Sequence, residues 1–333
     1  MVSEDVNTFI SGDLALSSRD PWRQYLLTYF SNNIAGEMVG IDDHRNGWRY
    51  LVLPIAQADD LVDESVLSAA AFHFAANVSG KNLHPIAFYH QAIRKLRSRQ
   101  DMTMYDTVGQ QRILVSLLVL LVAAIVSGSS DFRTIFGLVE GAIFALGGEE
   151  RVAVGELGKF IVRQVRKYRG WVSPHLSLEH GVNRLRQSSS QPFQCEGWED
   201  ISNDCLLYPN FQSSWSLIYK LNEQACNIYV VRALAEPGTP PHVELVDGFI
   251  KTLRSLPQNS PGMYFVPFTI FLAAAESSQP QQHEFFEQAL IMHSQRTGFA
   301  NLPLALRFLQ QIWSQSQHQN WTETLTTLPV FAV

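Results

Sequence analysis

ILVSLLVLLVAAIV, residues 113–126, carries one hydroxyl and no charge, and its reading decides between a membrane span and a buried helix. Crossing the hydrocarbon core as a helix takes about 20 mostly apolar residues, whereas a run of 10–14 is ordinarily interior. Gln110, Gln111 and Arg112 bound the run on one side, and Ser127, Gly128, Ser129, Ser130 and Asp131 on the other. Widening the window therefore adds only polar groups. The run predicts a core helix, and a helix that is apolar all round must be covered all round by other parts of the chain. The opening MVSEDVNTF is acidic and lacks the basic start and apolar stretch of a signal peptide, so an intracellular chain without a membrane partner is expected.

The 333 residues suffice for one large helical unit or two ordinary domains. With 46% hydrophobic and 17% charged residues the chain is globular but poor in charge, so Ser, Gln and Asn must supply much of the surface. Its 25 basic and 31 acidic residues give a net charge of -6, which argues against a chain that neutralises many phosphates unaided. Cys195, Cys205 and Cys226 are too few and too widely spaced for a disulfide framework or for the close thiolate pairs of a zinc site. They read as free thiols, with Cys226 inside a helix.

Outward from the apolar run, nearly every periodic signal is helical. Val66, Ala69, Ala70, His73 and Phe74 recur at three and four. Pro85 opens a helix whose one face carries Ile86, Tyr89, Ile93 and Leu96 and whose other carries Arg94, Lys95, Arg97 and Arg99. Residues 135–146 follow as a segment small and apolar on one side, and 159–169, KFIVRQVRKYR, as a basic helix. Residues 172–214 break the rhythm with Pro174, Pro192, Pro209 and QSSSQP, and are expected to be a long loop between two helical halves. Beyond it lie stripes at Ile218, Leu221, Ala225, Ile228 and Tyr229, and at Val243, Val246, Ile250 and Leu253, then the apolar stretch 263–275. Phe285, Phe286, Ala289 and Leu290 mark another helix, and Asn301 caps a last one through Trp313. Strand alternation and hairpin turns are missing, as is any fixed-period repeat, so the expected fold is all-α, an irregular array of about ten helices.

Chemistry is scarce in this chain. Ser79-Gly80-Lys81 lacks the upstream glycine and following hydroxyl of a phosphate loop, and Gly147-Gly148 follows a helix instead of a strand. His175 and His180 are five apart, off a common helix face, and so read as loop histidines instead of metal ligands. His73 lies on an apolar face and reads as a hydrogen-bonded core histidine. Asp59, Asp60, Asp63 and Glu64 are the one acidic cluster an isoprenoid-type helical enzyme could use; their place just before a helix makes capping the simpler role. Lys159, Arg163, Arg166, Lys167 and Arg169 form a basic patch, read either as a solvated helix face over inward Phe160, Ile161, Val165 and Tyr168, or as an import or phosphate-contact element.

The order of short boxes is more telling than any motif. Asn46, Trp48, Arg49, Leu53 and Pro54, then Ala69, Ala70, Ala71 and His73, then Tyr89, Ala92 and Leu96, resemble the first half of the fungus-specific transcription factor domain found behind zinc binuclear clusters. Ala225, Ile228 and Tyr229, then Pro267, Phe268, Ala273 and Glu276, then Gly298, Asn301 and Trp313, with Trp321 beyond, resemble its second half. In that family a helix ending near an acidic turn precedes the first box, which sets residues 21–333 as the domain and 1–20 as a flexible segment. The resemblance implies a nuclear, non-enzymatic regulatory domain without a cofactor. It implies contacts with coregulators, a DNA-binding partner or a zinc cluster outside this stretch, a second copy in a homodimer, and a small apolar effector. The aromatic residues Trp215, Tyr219, Tyr264, Phe265 and Phe268 could line an apolar cavity or simply form core. No cysteine precedes position 195, so zinc-dependent DNA binding by these residues alone is not expected; a helical scaffold or corepressor-like protein is the alternative.

Overall fold

The computed structural model describes residues 21–78, 83–190, 206–314 and 320–327; the segment 1–20 expected to be flexible lies outside them. Among the described residues there are fifteen α-helices and no strand. They are α1 (Pro21–Asn33), α2 (Leu53–Ala56), α3 (Asp60–Asn77), α4 (Pro85–Ser98), α5 (Thr107–Ser127), α6 (Phe132–Ala145), α7 (Glu149–Val152) and α8 (Gly155–Leu176). Then come α9 (Leu178–Ser190), α10 (Gln212–Ala233), α11 (Val243–Ser255), α12 (Val266–Glu276), α13 (Pro280–Thr297), α14 (Asn301–Ser314) and α15 (Trp321–Thr324).

The all-α expectation holds, but the number of helices was too low. Four-residue helices such as α2, α7 and α15 cannot display a 3.6-residue period, and α1 was suggested by the resemblance alone. The expected loop at 172–214 is corrected more substantially: residues 172–176 finish α8, α9 occupies thirteen residues of it, and α10 begins at Gln212, while 191–205 lie outside the described residues. Pro174 does not break α8 because it sits in the last turn, where its missing N–H orphans only the Gly170 carbonyl. Ser173 Oγ donates to that carbonyl at 3.0 Å and closes the gap. Ser177 then starts α9, its Oγ accepting the His180 N–H at 3.1 Å.

Helix α5 is the axis of the first half. Every residue from Ile113 to Val126 is at most 2% exposed. At about 1.5 Å per residue its 21 residues are long enough to cross a membrane, and its best window has a mean hydropathy of 2.0, so coverage is what distinguishes it as a core helix. α3 lies along it, brought close by Ala69, Ala70 and Ala71, all fully buried. α6 and α8 cover other sides, and α14 reaches it from the second half. Asp106 caps its start through the Gly109 N–H. Its end is a Schellman turn, with Ser129 N bonded to Ala124 O and Gly128 N to Ile125 O. Gly128 has φ 69°, and a Cβ there would meet Leu304 Cδ1 at 2.3 Å, so the turn needs glycine twice over.

The counterpart in the second half is α12, in which all eleven residues are buried between α10, α11, α13 and α14. The halves interlock at the backbone, since Gly262 donates to Gly40 O at 2.9 Å and Ala300 to Val126 O at 2.9 Å.

Candidate functional site

The boxes noticed in the sequence become polar fastenings between helices. Asn46 is buried: its Nδ2 donates to Ala35 O at 3.0 Å and to Asp42 Oδ1 at 2.8 Å, while its Oδ1 accepts the Trp48 N–H at 3.0 Å. Arg49 grips Asp42 with Nε and Nη2 at 2.9 and 2.6 Å and donates to Ser31 Oγ. Burial alone would raise the Asp42 carboxyl, and the Arg49 and Asn46 hydrogen bonds hold it below the usual range instead. The chain turns there onto a π-helical segment, Trp48–Val52, whose Trp48 meets Phe160 edge to face at 5.2 Å.

Each carboxylate of the acidic cluster is engaged with a helix end or a cation, although Asp63 Oδ1 and Glu64 Oε2 are buried without a hydrogen-bond partner. Asp59 caps α3, accepting from Leu61 N and Val62 N at 3.0 and 3.2 Å, and receives Arg99 Nη1 at 2.8 Å. Asp60 pairs with Arg99 and Lys95, Glu64 with Lys95 at 3.2 Å and Arg23 at 3.4 Å, and Asp63 with Arg23. These contacts tie α1 and α4 to the start of α3. They leave no convergent carboxylates over an open space, and no group of His, Cys, Asp and Glu that could hold a metal ion occurs among the described residues.

His73 is the core histidine expected, and it also bridges the halves. Its Nε2 lies 2.8 Å from Thr297 O, which can only accept, so the proton is on Nε2; Nδ1 then accepts from the Tyr29 hydroxyl at 2.9 Å. Burial pulls its pKa down, against the hydrogen bond to Thr297. Beside it Asn77 Nδ2 donates to Gly298 O at 3.0 Å. His175 and His180 part company: His175 is buried, held down at about 4 by burial and by Arg133, whereas His180 is exposed on Ser177 Oγ at 2.7 Å. Cys226 is a buried thiol in α10, as read; Cys195 and Cys205 lie outside the described residues.

The most concentrated cluster in the second half centres on Glu276 at the end of α12. Its carboxylate, with a fully buried side chain, accepts Arg232 Nε and Nη2 at 2.8 and 2.6 Å and Trp321 Nε1 at 2.7 Å. It also accepts the His242 N–H at 2.7 Å, with His242 Nδ1 at 2.8 Å. Arg232 spends its remaining donors on Thr239 O and Pro240 O. Burial pushes the Glu276 carboxyl up, and these donors outweigh it and hold it below the usual range. One carboxylate thus fastens α10, the turn before α11, α12 and α15. Nearby, Trp313 Nε1 donates to Ala274 O at 2.8 Å and its ring stacks on His283 at 4.2 Å.

The basic stretch does not present five side chains to one surface. Phe160, Ile161, Val165 and Tyr168 pack inward as expected. Lys159 is the most exposed of the cations and pairs with Glu156 at 3.0 Å. Arg166 and Arg169 clasp Glu149, each at 2.7 Å, and Arg169 also holds Glu140. Arg163 is half-buried. Lys167 points the other way: it is buried, with Nζ 3.3 Å from Met38 O, 4.7 Å from the Tyr264 ring centroid, and near the Tyr168 and Trp171 rings at 5.4 and 5.7 Å. Such cation–π contacts are strongest where the cation is desolvated.

Lys167 therefore enters the aromatic seam between the halves. Trp215, Tyr219, Tyr264, Phe265 and Phe268 are all buried, and Trp171 packs edge to face on Tyr264 at 5.2 Å and on Phe265 at 5.8 Å. Burial, with the two phenols near each other, holds Tyr264 well above the usual tyrosine range, and burial raises Tyr168 also. Gly262, at φ 79°, lies against the Trp215 ring, where a Cβ would come within 2.3 Å. Sequence reasoning found the rings but put Lys167 in the basic patch, although Phe160, Gln164, Lys167 and Trp171 recur at four, three and four and so share a face of α8.

Comparison with known proteins matches the chain to the family model described as fungal specific transcription factor domain, over residues 25–165 and 175–328. No match was found among curated proteins or solved structures.

Proposed function

Because the chain belongs to the fungal specific transcription factor domain family, we propose that it is a regulatory helical domain that acts on gene expression in the nucleus through partners. The observation that supports this most is the use of the boxes. Asn46, Arg49, His73, Glu276, Trp313 and Trp321 all spend their polar groups on other parts of the fold. Such a fold holds helices in register for contacts with other macromolecules, the reading we prefer to catalysis.

In this reading the chain controls a DNA-binding unit or docks a coregulator, and does not bind a DNA sequence alone. Its net charge is -6, and in the 159–169 stretch Lys159, Arg166 and Arg169 are each paired with a carboxylate, so this stretch is poorly suited to releasing counterions from a duplex. Lys159 is the side chain of the 159–169 stretch best placed for an import receptor or a phosphate. A small apolar effector that favoured one packing of α8 against Tyr264 and Phe265 would shift the balance between arrangements of the halves, which is all a switch requires. The alternative, a scaffold that never reaches promoters, predicts the same fold.

Chromatin occupancy of the tagged, full-length gene product separates the two. Enrichment at a set of promoters, together with no sequence-selective shift of DNA by the purified chain, is expected. Absence of enrichment at every promoter refutes the transcriptional role.

A further inference from the structure

Residues 320–327 are held at one end by the second half of the fold and at the other by the first. Asn320 caps α15, its Oδ1 accepting the Thr322 N–H at 3.2 Å and the Thr322 hydroxyl at 2.7 Å, while its Nδ2 donates to Arg232 O at 3.3 Å. Trp321 stands edge to face on Tyr229 of α10 at 5.9 Å and donates to Glu276 of α12. The 3-10 turn that follows, Leu325–Thr327, lies on α8, with Leu325 fully buried and its backbone meeting His175. Arg133 of α6 donates to Thr326 O at 2.7 Å. One short segment is thus clasped between α10 and α12 on one side and α6 and α8 on the other.

Little holds this segment in shape by itself. α15 is four residues long, far below the length at which a helix is stable alone in water, so its form depends on its seat. The seat is polar beneath an aromatic cover. The Glu276 side chain has no exposure, and Tyr229 Oη is buried without a hydrogen-bond partner. Release lets water replace the Trp321 N–H on Glu276 Oε2, which offsets part of the cost of exposing the indole. The other bonds between the halves, at Gly262, Ala300 and His73, involve none of these residues and remain when the segment leaves. Local openings are drawn from segments of this kind, short and with few internal bonds. We infer that residues 320–327 are a releasable strap: they open as one unit while the long helices stay folded. Opening loosens α6 and α8 from α10 and α12 on this side and bares a seat, the Glu276 carboxylate beside the Tyr229 ring, that takes an indole with its N–H donor. This inference rests on the contacts of the strap and does not depend on the transcriptional reading.

Hydrogen exchange of the full chain, read by mass spectrometry, tests it. Peptides covering 320–327 are expected to exchange at least about 100-fold faster than those covering 113–126 of α5, all their amides opening together. Trp321→Phe loses the bond to Glu276 and Arg133→Met the bond to Thr326, at opposite ends of the strap. Each should speed exchange over its whole length by about 10-fold or more. Trp321→Gly should keep its helical circular dichroism while 171–176 of α8 and 225–233 of α10 exchange faster than in the wild type. Free indole at about 5 mM should slow them again, and indene, of the same shape without the N–H, should do so less. Exchange of the strap at the rate of α5 overturns the inference, as does an Arg133→Met effect confined to the amides beside Thr326, which is fraying of an end. A Trp321→Gly chain that has lost its helices shows that the strap cannot leave a folded core, and one that exchanges as the wild type does at 171–176 and 225–233, or ignores indole, shows that there is no coupling or no seat.

Discussion

Replacing Glu276 by Gln tests the central fastening of the second half. The substitution keeps the shape and removes the charge, leaving the Arg232 guanidinium, 4% exposed, without its carboxylate. Breaking one side of a buried ion pair costs about 3–5 kcal/mol, roughly a fifth or more of the stability of a typical domain, because an uncompensated charge stays out of water. The amide must also serve Trp321 Nε1 and the His242 N–H with one oxygen where two accepted before. Urea unfolding followed by far-ultraviolet circular dichroism and tryptophan fluorescence should show a midpoint far below wild type with an unchanged slope. The companion double variant, Arg232→Met with Glu276→Met, removes both charges and should recover part of the loss. It cannot recover all, since the Trp321 and His242 donors are still orphaned at about 1–3 kcal/mol each when buried. A loss below about 1 kcal/mol for Glu276→Gln, or a double variant no more stable than the single one, would show that Glu276 does not fasten these helices.

Three further outcomes are expected. Leu118, fully buried in α5, should cost about 3–5 kcal/mol on change to Ala and should abolish folding on change to Asp, as read from thermal melts of the purified variants. His175 and His293 are buried and neutral, both held near 4 by burial, so the unfolded chain binds protons first as pH falls below 6.5. Stability is therefore full above 6.5, declines by about 2 kcal/mol per histidine on reaching pH 5, and goes on falling toward pH 4; a melting temperature flat between pH 7 and 5 contradicts this. Gly128→Ala should lose about 1–3 kcal/mol through its positive φ and its collision with Leu304 Cδ1, and Leu304→Ala in the same chain should restore only the collision part.

What could be read from the sequence follows the range of the interactions. The capping role of Asp59 was legible because an N-cap acts on residues two and three positions away. Helix α9 also left a trace, with Leu178, Val182 and Leu185 at four and three, but Pro174 and the serine-rich run that follows masked it. Local spacing could not reveal the Glu276 fastening, because its partners Arg232, His242 and Trp321 lie 34 to 45 residues away; only the resemblance singled out Glu276 and Trp321. The basic stretch misled for a different reason. Five cations in eleven residues look like one patch, yet a helix distributes them around its axis, and Glu140 and Glu149, which neutralise two of them, belong to elements ahead of α8.

Helices α5 and α6 bring out the limit most sharply. From Ile113 to Val126 α5 is apolar on every side and must be covered all round, whereas α6 carries Arg133 and Glu140 among its apolar residues. For α5 the cover is supplied by α3, α6, α8 and α14. Helix α6 is covered by α5 and α7, by Tyr168 of α8 against Phe132, and at its start by the bond from Arg133 to Thr326 O, while Phe144 on its far side is exposed. Composition sets the demand for burial but not which molecule meets it.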